Sequence, residues 1–355
     1  MTKNTLNELD GIDPPNITNK SSIERLQALR RKKIDADQLV TAMLQGDKVA
    51  LSRAITLIES ANEEHFQKVS DVISKCLPYA NKSVRIGVTG VPGVGKSTFI
   101  EAFGKHLTSI GRKVAVLAID PSSSISHGSI LGDKTRMEEL VKDPNAYIRP
   151  SASGATLGGV ARKTRETIIL CEATGFDTII VETVGVGQSE TSVHSMVDYF
   201  MLLKIAGAGD ELQGIKRGIM EMADQIVINK ADGDNIKKAT LARGEFARAL
   251  YLFPPKKSEW TPLVRTCSSY TKEGVDVIWN DIQDYLKLTQ ANGYFDYKRE
   301  EQNQYWFTET IEMQLKTKFY SDKAVSGKID WYREQVGKGQ ISPFQAAQEL
   351  LNLYR

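Results

Sequence analysis

The sequence predicts an α/β fold, a mostly parallel sheet covered by helices on both faces, and three observations predict it. Seven short apolar runs, at 84–89, 113–119, 146–149, 177–182, 198–205, 225–229 and 262–267, are bounded by Gly, Pro, Asp or Asn and alternate with helical patterns. Such alternation implies parallel strands joined by crossover helices. The first run leads directly into Gly90–Ser97, which fits the phosphate-loop pattern G-x-x-x-x-G-K-[ST], and helix-forming residues follow from Phe99 to Ile110. The other polar motifs fall at or just after strand carboxyl ends, where open α/β sheets bind their ligands.

Residues 1–20 are expected to form a polar, mobile tail, because Pro14-Pro15 opposes helix. They lack the apolar segment of a signal peptide, and Glu8, Asp10 and Asp13 argue against a mitochondrial presequence. Residues 21–80 are expected to form a small helical layer on the main domain. Ile23, Leu26 and Leu29 share one face, and Leu39, Val40, Met43 and Leu44 share the next. Leu51, Ile55 and Ile58, with Leu57 beside them, make a third face. Phe66, Val69, Val72, Ile73 and Cys76 make a fourth, and Gly46-Asp47 separates the second helix from the third.

Composition narrows the function classes. The 355 residues carry 46 basic and 44 acidic side chains, a net charge of +2, so no strong field for nucleic acid or a membrane surface is expected. No apolar run approaches a membrane span. Cys76, Cys171 and Cys267 lie far apart, which suits reduced thiols in the cytoplasm. His65, His106, His127 and His194 make no metal-ligand cluster.

The phosphate loop requires backbone N–H groups that converge on one polyphosphate, so side chains must stay clear. Gly90, Gly93 and Gly95 permit that bend, and Val91, Pro92 and Val94 fill the spaces between. The helix starting near Lys96 adds its positive end. Lys96 is expected to reach the β- and γ-phosphates and Ser97 to place its hydroxyl on Mg²⁺, with Thr98 beside it. A chain this long matches the pattern by accident about once in a hundred.

Further along, the strand 113–119 ends in Asp120-Pro121-Ser122, and Gly132-Asp133-Lys134-Thr135-Arg136 follows. One acid is expected to ligate Mg²⁺ and the other to orient water. We assign the metal to Asp133 and the water to Asp120, and the reverse stays open, as does a plain turn cap at Asp120. Thr178–Val181 runs into Glu182-Thr183-Val184-Gly185, where many GTPases carry Asp-x-x-Gly. Glu182 is one methylene longer and can hold Mg²⁺ through water, while Gly185 can offer its N–H to a γ-phosphate. Val186 stands where Ras-like proteins carry the water-orienting glutamine, which implies slow intrinsic turnover. After strand 198–205, the glycine-rich polar stretch 207–218 brings Lys216 and Arg217 as candidates to approach phosphate; a solvated charged loop is the competing reading.

Asn229-Lys230-Ala231-Asp232 chooses the base. A carboxylate at Asp232 accepts from guanine N1–H and the 2-amino group, and adenine offers neither. Asn229 would support the purine edge and neighbouring backbone, and the Lys230 stem would cover the ring. Cys267-Ser268-Ser269 closes another strand and can supply backbone contacts to guanine O6, with Tyr270 next in line. Beyond residue 290 the strands stop. Residues 296–321, with Tyr297, Tyr305, Trp306 and Phe307, read as one long helix, either an intramolecular brace or, as we favour, an oligomer contact. A last helix is expected to start at Pro343, its apolar face formed by Ala346, Ala347, Leu350 and Leu351.

Taken in order, GVPGVGKST, AIDPSSS, GDKTRM, VETVGVGQSE, GAGDELQGIKRG and NKAD resemble the methylmalonyl-CoA mutase-associated GTPases, a family with the older name of arginine/lysine/ornithine transport system kinases. The likeness runs from about residue 46 to the end. It implies a P-loop NTPase of the SIMIBI class, with a helical segment at 21–80, a GTPase domain at 81–290 and a C-terminal helical dimerisation arm at 291–355. It implies GTP hydrolysis to GDP and phosphate with Mg²⁺, in a homodimer that chaperones an adenosylcobalamin-dependent methylmalonyl-CoA mutase. The chaperone gates cofactor delivery and protects or reactivates the mutase. By matching motifs, Lys96, Ser97, Asp120, Asp133, Glu182, Asn229, Asp232 and Lys216 carry over. Ser269-Tyr270 departs from the usual Ala-Leu. Three other classes stand beside it, one of them a non-enzymatic scaffold that merely binds nucleotide, which Val186 leaves open by weakening the case for rapid hydrolysis. A metal-insertion GTPase would bring His- or Cys-rich motifs, and a transporter-associated kinase an acceptor-binding loop, and the sequence displays neither.

Overall fold

A computed structural model describes residues 35–60, 65–119, 137–150, 157–183, 189–207 and 217–354. Among the described residues three helices precede the sheet, α1 (Ala36–Leu44), α2 (Lys48–Glu59) and α3 (Phe66–Cys76). Asp47 caps α2, its carboxylate accepting from Val49 N at 2.7 Å, so the Gly46-Asp47 break does what its residue types suggest. The sheet then alternates with helices: β1 (Val84–Gly90), α4 (Lys96–Ser109), β2 (Val114–Ile119), α5 (Glu138–Val141), β3 (Ala146–Arg149), α6 (Leu157–Ala173), β4 (Thr178–Thr183), α7 (Ser189–His194), β5 (Tyr199–Ile205), α8 (Arg217–Met222), β6 (Gln225–Asn229), α9 (Ile236–Leu250), β7 (Leu263–Thr266) and α10 (Val275–Ala291). Four helices close the chain: α11 (Tyr294–Ser321), α12 (Lys323–Ser326), α13 (Ile329–Gly337) and α14 (Pro343–Leu353).

All seven strands are parallel, in the order β3-β2-β4-β1-β5-β6-β7. Each falls where an apolar run predicts it. Period-two alternation splits the core between the two faces. Ile179, Val181 and Phe200 join α1, α2, α3 and α6 on one side. Ile86, Val88, Ile180 and Met201 join α4 and α10 on the other. The predicted faces of the early helices hold at Leu39, Val40, Met43, Leu51, Ile55, Leu57, Ile58, Val69, Val72 and Cys76, all buried, whereas Leu44 and Phe66 are exposed. A separate small cluster of Val325, Tyr332, Ala346 and Leu350 knits α12, α13 and α14. Ala347 and Leu351, expected on that face, point to solvent instead. The expected tail at 1–20 and the face of Ile23, Leu26 and Leu29 lie outside the described residues. Among the described residues no helix is long and apolar enough to cross a membrane.

The long helix α11 has two characters. Its first half braces its own chain: Lys298, Arg299, Gln302 and Trp306 are buried against the sheet. Its second half turns Phe307, Leu315 and Tyr320 outward. Of the two readings the sequence leaves open, a brace or the favoured oligomer contact, the first half answers to the brace, because its charged and indole groups find partners beside the strand starts.

Candidate functional site

Strand β1 delivers the chain to Gly90, and α4 picks it up at Lys96. Gly93 and Gly95 adopt φ of 81° and 90°, a region that excludes ordinary side chains. Close approach adds to this: a Cβ on Gly95 would lie 2.9 Å from Asn229 Nδ2, and one on Gly90 would lie 2.6 Å from Leu203 O. The loop is therefore a cradle that methyl groups would fill, which is what a polyphosphate bound by backbone N–H groups requires. Val91 and Pro92 sit exposed on its rim, Val94 is buried beneath it, and Ser97 is half-buried in the first turn of α4 with Thr98 exposed beside it.

Lys96 curls back over the loop. Its ammonium donates to Gly90 O at 2.7 Å and Val91 O at 3.3 Å. Burial lowers its pKa, opposed by the charges of Glu182 and Glu190. Glu182 is the next-to-last residue of β4, its Cα between those of Val88 and Ala118, and only 9% of it is exposed. Next to it the Thr183 and Thr89 hydroxyls meet at 2.8 Å, tying the ends of β4 and β1. The carboxylate and the ammonium thus occupy one end of the sheet, in surroundings dry enough to strengthen their field.

The segments Asn229–Asp232 and Cys267–Ser269 form a second layer. Asn229 Nδ2 donates to Val94 O at 2.9 Å, and Lys230 Nζ donates to Gly93 O at 2.9 Å, so both side chains reach into the phosphate loop. Lys230 holds φ of 59°, costly for a residue with a Cβ, and its carbonyl is pinned by Asn235 Nδ2 at 2.7 Å. Asn229 Oδ1 accepts from the Ser269 hydroxyl at 2.7 Å and from its N–H at 3.3 Å. The Ser268 hydroxyl donates to the Asp232 carboxylate and accepts from Thr271 N at 3.1 Å. Ala231 N donates to Cys267 O at 3.0 Å. Sequence reasoning gave Ser268 and Ser269 backbone roles only; their hydroxyls also bond to the Asp232 and Asn229 side chains. Their type, two hydroxyls at a strand end, was the available signal. Tyr270 is 87% exposed at the edge.

Lys96, Ser97, Glu182, Asn229, Lys230, Asp232, Ser268 and Ser269 therefore gather around the carboxyl ends of β1, β4, β6 and β7. Asp120, Asp133, Gly185 and Lys216 lie outside the described residues. Among the described residues no group of three His, Cys, Asp or Glu side chains could hold a metal alone. A Mg²⁺ that is shared between Ser97, a carboxylate and phosphate oxygens does not need one.

Known proteins resemble this chain over most of its length. The family model described as methylmalonyl Co-A mutase-associated GTPase MeaB matches residues 51–324. GTPase ArgK of Escherichia coli is 44% identical over 314 residues, covering 86% of this chain and 95% of that protein. The mitochondrial methylmalonic aciduria type A homolog of Mus musculus is 42% identical over 329 residues, covering 90% of this chain and 79% of its own. A crystal structure titled LAO/AO transport system kinase superposes with a TM-score of 0.70 at 38% identity, over 89% of this chain and 96% of that one.

Proposed function

The chain belongs to the methylmalonyl-CoA mutase-associated GTPase family, and on that premise we propose that it is a GTPase chaperone of an adenosylcobalamin-dependent acyl-CoA mutase, methylmalonyl-CoA mutase first among the candidates. GTP hydrolysis itself follows from the family and from the P-loop fold. The client is the step beyond. In this role the protein works in the cytoplasm, gates delivery of the cofactor, and protects or reactivates the mutase. The observation that supports the nucleotide reading is the double tie of Asn229 and Lys230 into the Gly93–Val94 backbone, which joins the two motifs directly.

The residues divide the work as follows. Loop N–H groups and the start of α4 bind the phosphates, and Lys96 leaves the Gly90 and Val91 carbonyls for the β- and γ-phosphate oxygens. Asp232, oriented by Ser268, accepts from the guanine edge, and Asn229, oriented by Ser269, holds its neighbour. Ser97 and Glu182, with Asp133 or Asp120, would hold Mg²⁺, which supplies charge neutralisation between the β- and γ-phosphates. The remaining acid orients the attacking water, Gly185 senses the γ-phosphate, and Lys216 approaches it. The outward residues Phe307, Leu315 and Tyr320 of α11 support a homodimer contact.

The test is GTP hydrolysis with and without a purified adenosylcobalamin-dependent mutase from the same cell. Acceleration by the mutase is the expected result, since Val186 replaces a water-orienting glutamine. An unchanged rate with each such mutase, alongside normal GTP binding, would contradict the chaperone role and leave the GTPase intact.

A further inference from the structure

Where the sheet meets the phosphate loop, one side-chain hydrogen bond joins β1 to β4. Thr89 Oγ1 and Thr183 Oγ1 lie 2.8 Å apart, and both residues are buried. The backbone ladder of these strands runs from Val84 opposite Thr178 to Val88 opposite Glu182. The hydroxyl pair continues it one residue further. At this level β1 is laddered on its other side to β5, with Gly90 opposite Leu203, and β4 to β2, with Ile119 opposite Thr183. The pair therefore ties together two halves of the sheet. Among the described residues each hydroxyl has only the other as its partner.

Side-chain alternation shows what the tie controls. Val88 and Ile180 belong to the core on the α4 face, so Glu182, two residues after Ile180, points toward α4 and Lys96 at its start. Val181 belongs to the core on the opposite face, and Thr183 and Thr89 lie on that side. Thr89 is joined by one peptide to Gly90, whose carbonyl accepts from the Lys96 ammonium at 2.7 Å. Thr183 is joined in the same way to Glu182. Gly90 has no room to yield toward β5, because a Cβ there would already lie 2.6 Å from Leu203 O. Slack between the anchor of Lys96 and the Glu182 carboxylate can open only between β1 and β4. There the hydroxyl pair is the cross-tie nearest the site.

We propose that Thr89 and Thr183 are positioning residues for GTP hydrolysis: their hydroxyl pair holds the Glu182 carboxylate in register with the phosphate loop and Lys96. The pair touches no substrate and acts through the two strand ends. Misplacement by about 1 Å in such a site can cost about a hundredfold in rate. The inference rests on the reading of Glu182 as a group that meets Mg²⁺ together with Ser97. It does not depend on the identity of the client.

Valine has nearly the volume of threonine and no hydroxyl. Thr183→Val and Thr89→Val each break the pair and orphan one buried hydroxyl, which lowers stability. Replacing both removes the orphan, so the melting temperature of Thr89→Val/Thr183→Val should return toward that of the unaltered protein. Its rate should not. Single-turnover hydrolysis is expected to fall about tenfold in all three proteins. GDP affinity without Mg²⁺ should stay within about twofold, while the gain in affinity on adding Mg²⁺, read by calorimetric titration, should shrink about fivefold. Thr183→Ser keeps the hydroxyl and should keep both the rate and the gain. Thr174→Val removes a buried hydroxyl from α6, where it bonds Leu170 O at 2.7 Å, and should leave both unchanged. An unaltered rate and Mg²⁺ gain in the valine variants, a rate that follows the melting temperature across them, or equal losses in Thr183→Ser or Thr174→Val would each overturn the proposal. Glu182→Gln, measured alongside, separates the two readings. If it loses the Mg²⁺ gain while the valine variants keep theirs, the proposal alone falls. If it keeps the gain, the reading of Glu182 falls and takes the proposal with it.

Discussion

The two ends of the central sheet use the same kinds of side chain in opposite ways. At the amino end charge meets charge. Arg85 donates to Glu172 at 2.9 and 3.1 Å, Arg299 forks onto Asp198, and Lys256 reaches Asp224 at 2.7 Å, all with low exposure. At the carboxyl end the cations rest on peptide carbonyls: Lys96 on Gly90 and Val91, Lys230 on Gly93. A neutral carbonyl holds an ammonium less strongly than a carboxylate or a phosphate does. The amino end is therefore locked, whereas the carboxyl end holds its cations in a form that a polyphosphate can take over. Burial alone would push the Asp198 carboxyl up, but the Arg299 hydrogen bonds and charge hold it below the usual range. Burial pushes the Lys96 ammonium down, only partly countered by Glu182 and Glu190.

The largest effect should come from breaking the lock. Asp198→Ala leaves Arg299 buried without its carboxylate and is expected to cost about 3–5 kcal/mol of stability in urea unfolding. A loss below about 1 kcal/mol would remove the contrast between the ends. Next in size is Asp232→Ala. Its preference for GDP over ADP should fall by about a hundredfold, the scale of two hydrogen bonds to a charged group, with unfolding unchanged. Calorimetric titration of both nucleotides measures it, and an Asp232→Ala protein with its guanine preference intact would assign base recognition elsewhere. Lys96→Ala should weaken GDP binding about thirtyfold, near 2 kcal/mol, and leave the urea midpoint in place. A drop in that midpoint would mean that Lys96 belongs to the locked class.

A pH-dependent effect, small within any one pH unit, sharpens the comparison near the base of the sheet. Burial pushes the His194 imidazole down to about 4 from 6.5, helped by the nearby charges of Lys298 and Lys256 and opposed by Asp224. Between those values the unfolded chain binds a proton that the folded chain refuses. Stability is therefore full above 6.5 and falls as pH drops toward about 4, by at most about 1.4 kcal/mol per pH unit. His194→Gln should flatten the upper part of that slope, as read from unfolding curves taken at successive pH values.

The sequence carried the sheet well for a physical reason. Each strand is a short apolar run buried on both faces, and runs such as Ile179-Ile180-Val181 leave little choice of period. The phosphate loop was equally legible, because only a few residue types suit a bare backbone, and Asn229 and Lys230 do reach it from the next motif. The lock was not legible. Arg85 and Glu172 are 87 positions apart, and Asp198 and Arg299 are 101 apart, so neither pair leaves a local pattern. The same holds for α11: its aromatics announced an interface, but which half faces inward depends on partners that only the folded strand starts provide. The Ser269 hydroxyl lies between these cases, visible as a departure from Ala yet unassigned until Asn229 is seen beside it.

Amide hydrogen exchange with and without GDP and Mg²⁺ tests the contrast most directly, because it reads both ends of every strand in one experiment. The account predicts strong added protection at 90–98, 229–232 and 267–271, and almost none at 81–85 or 223–225, where the lock already holds the backbone. Protection spread evenly over both ends, or strongest at the amino end, would contradict it.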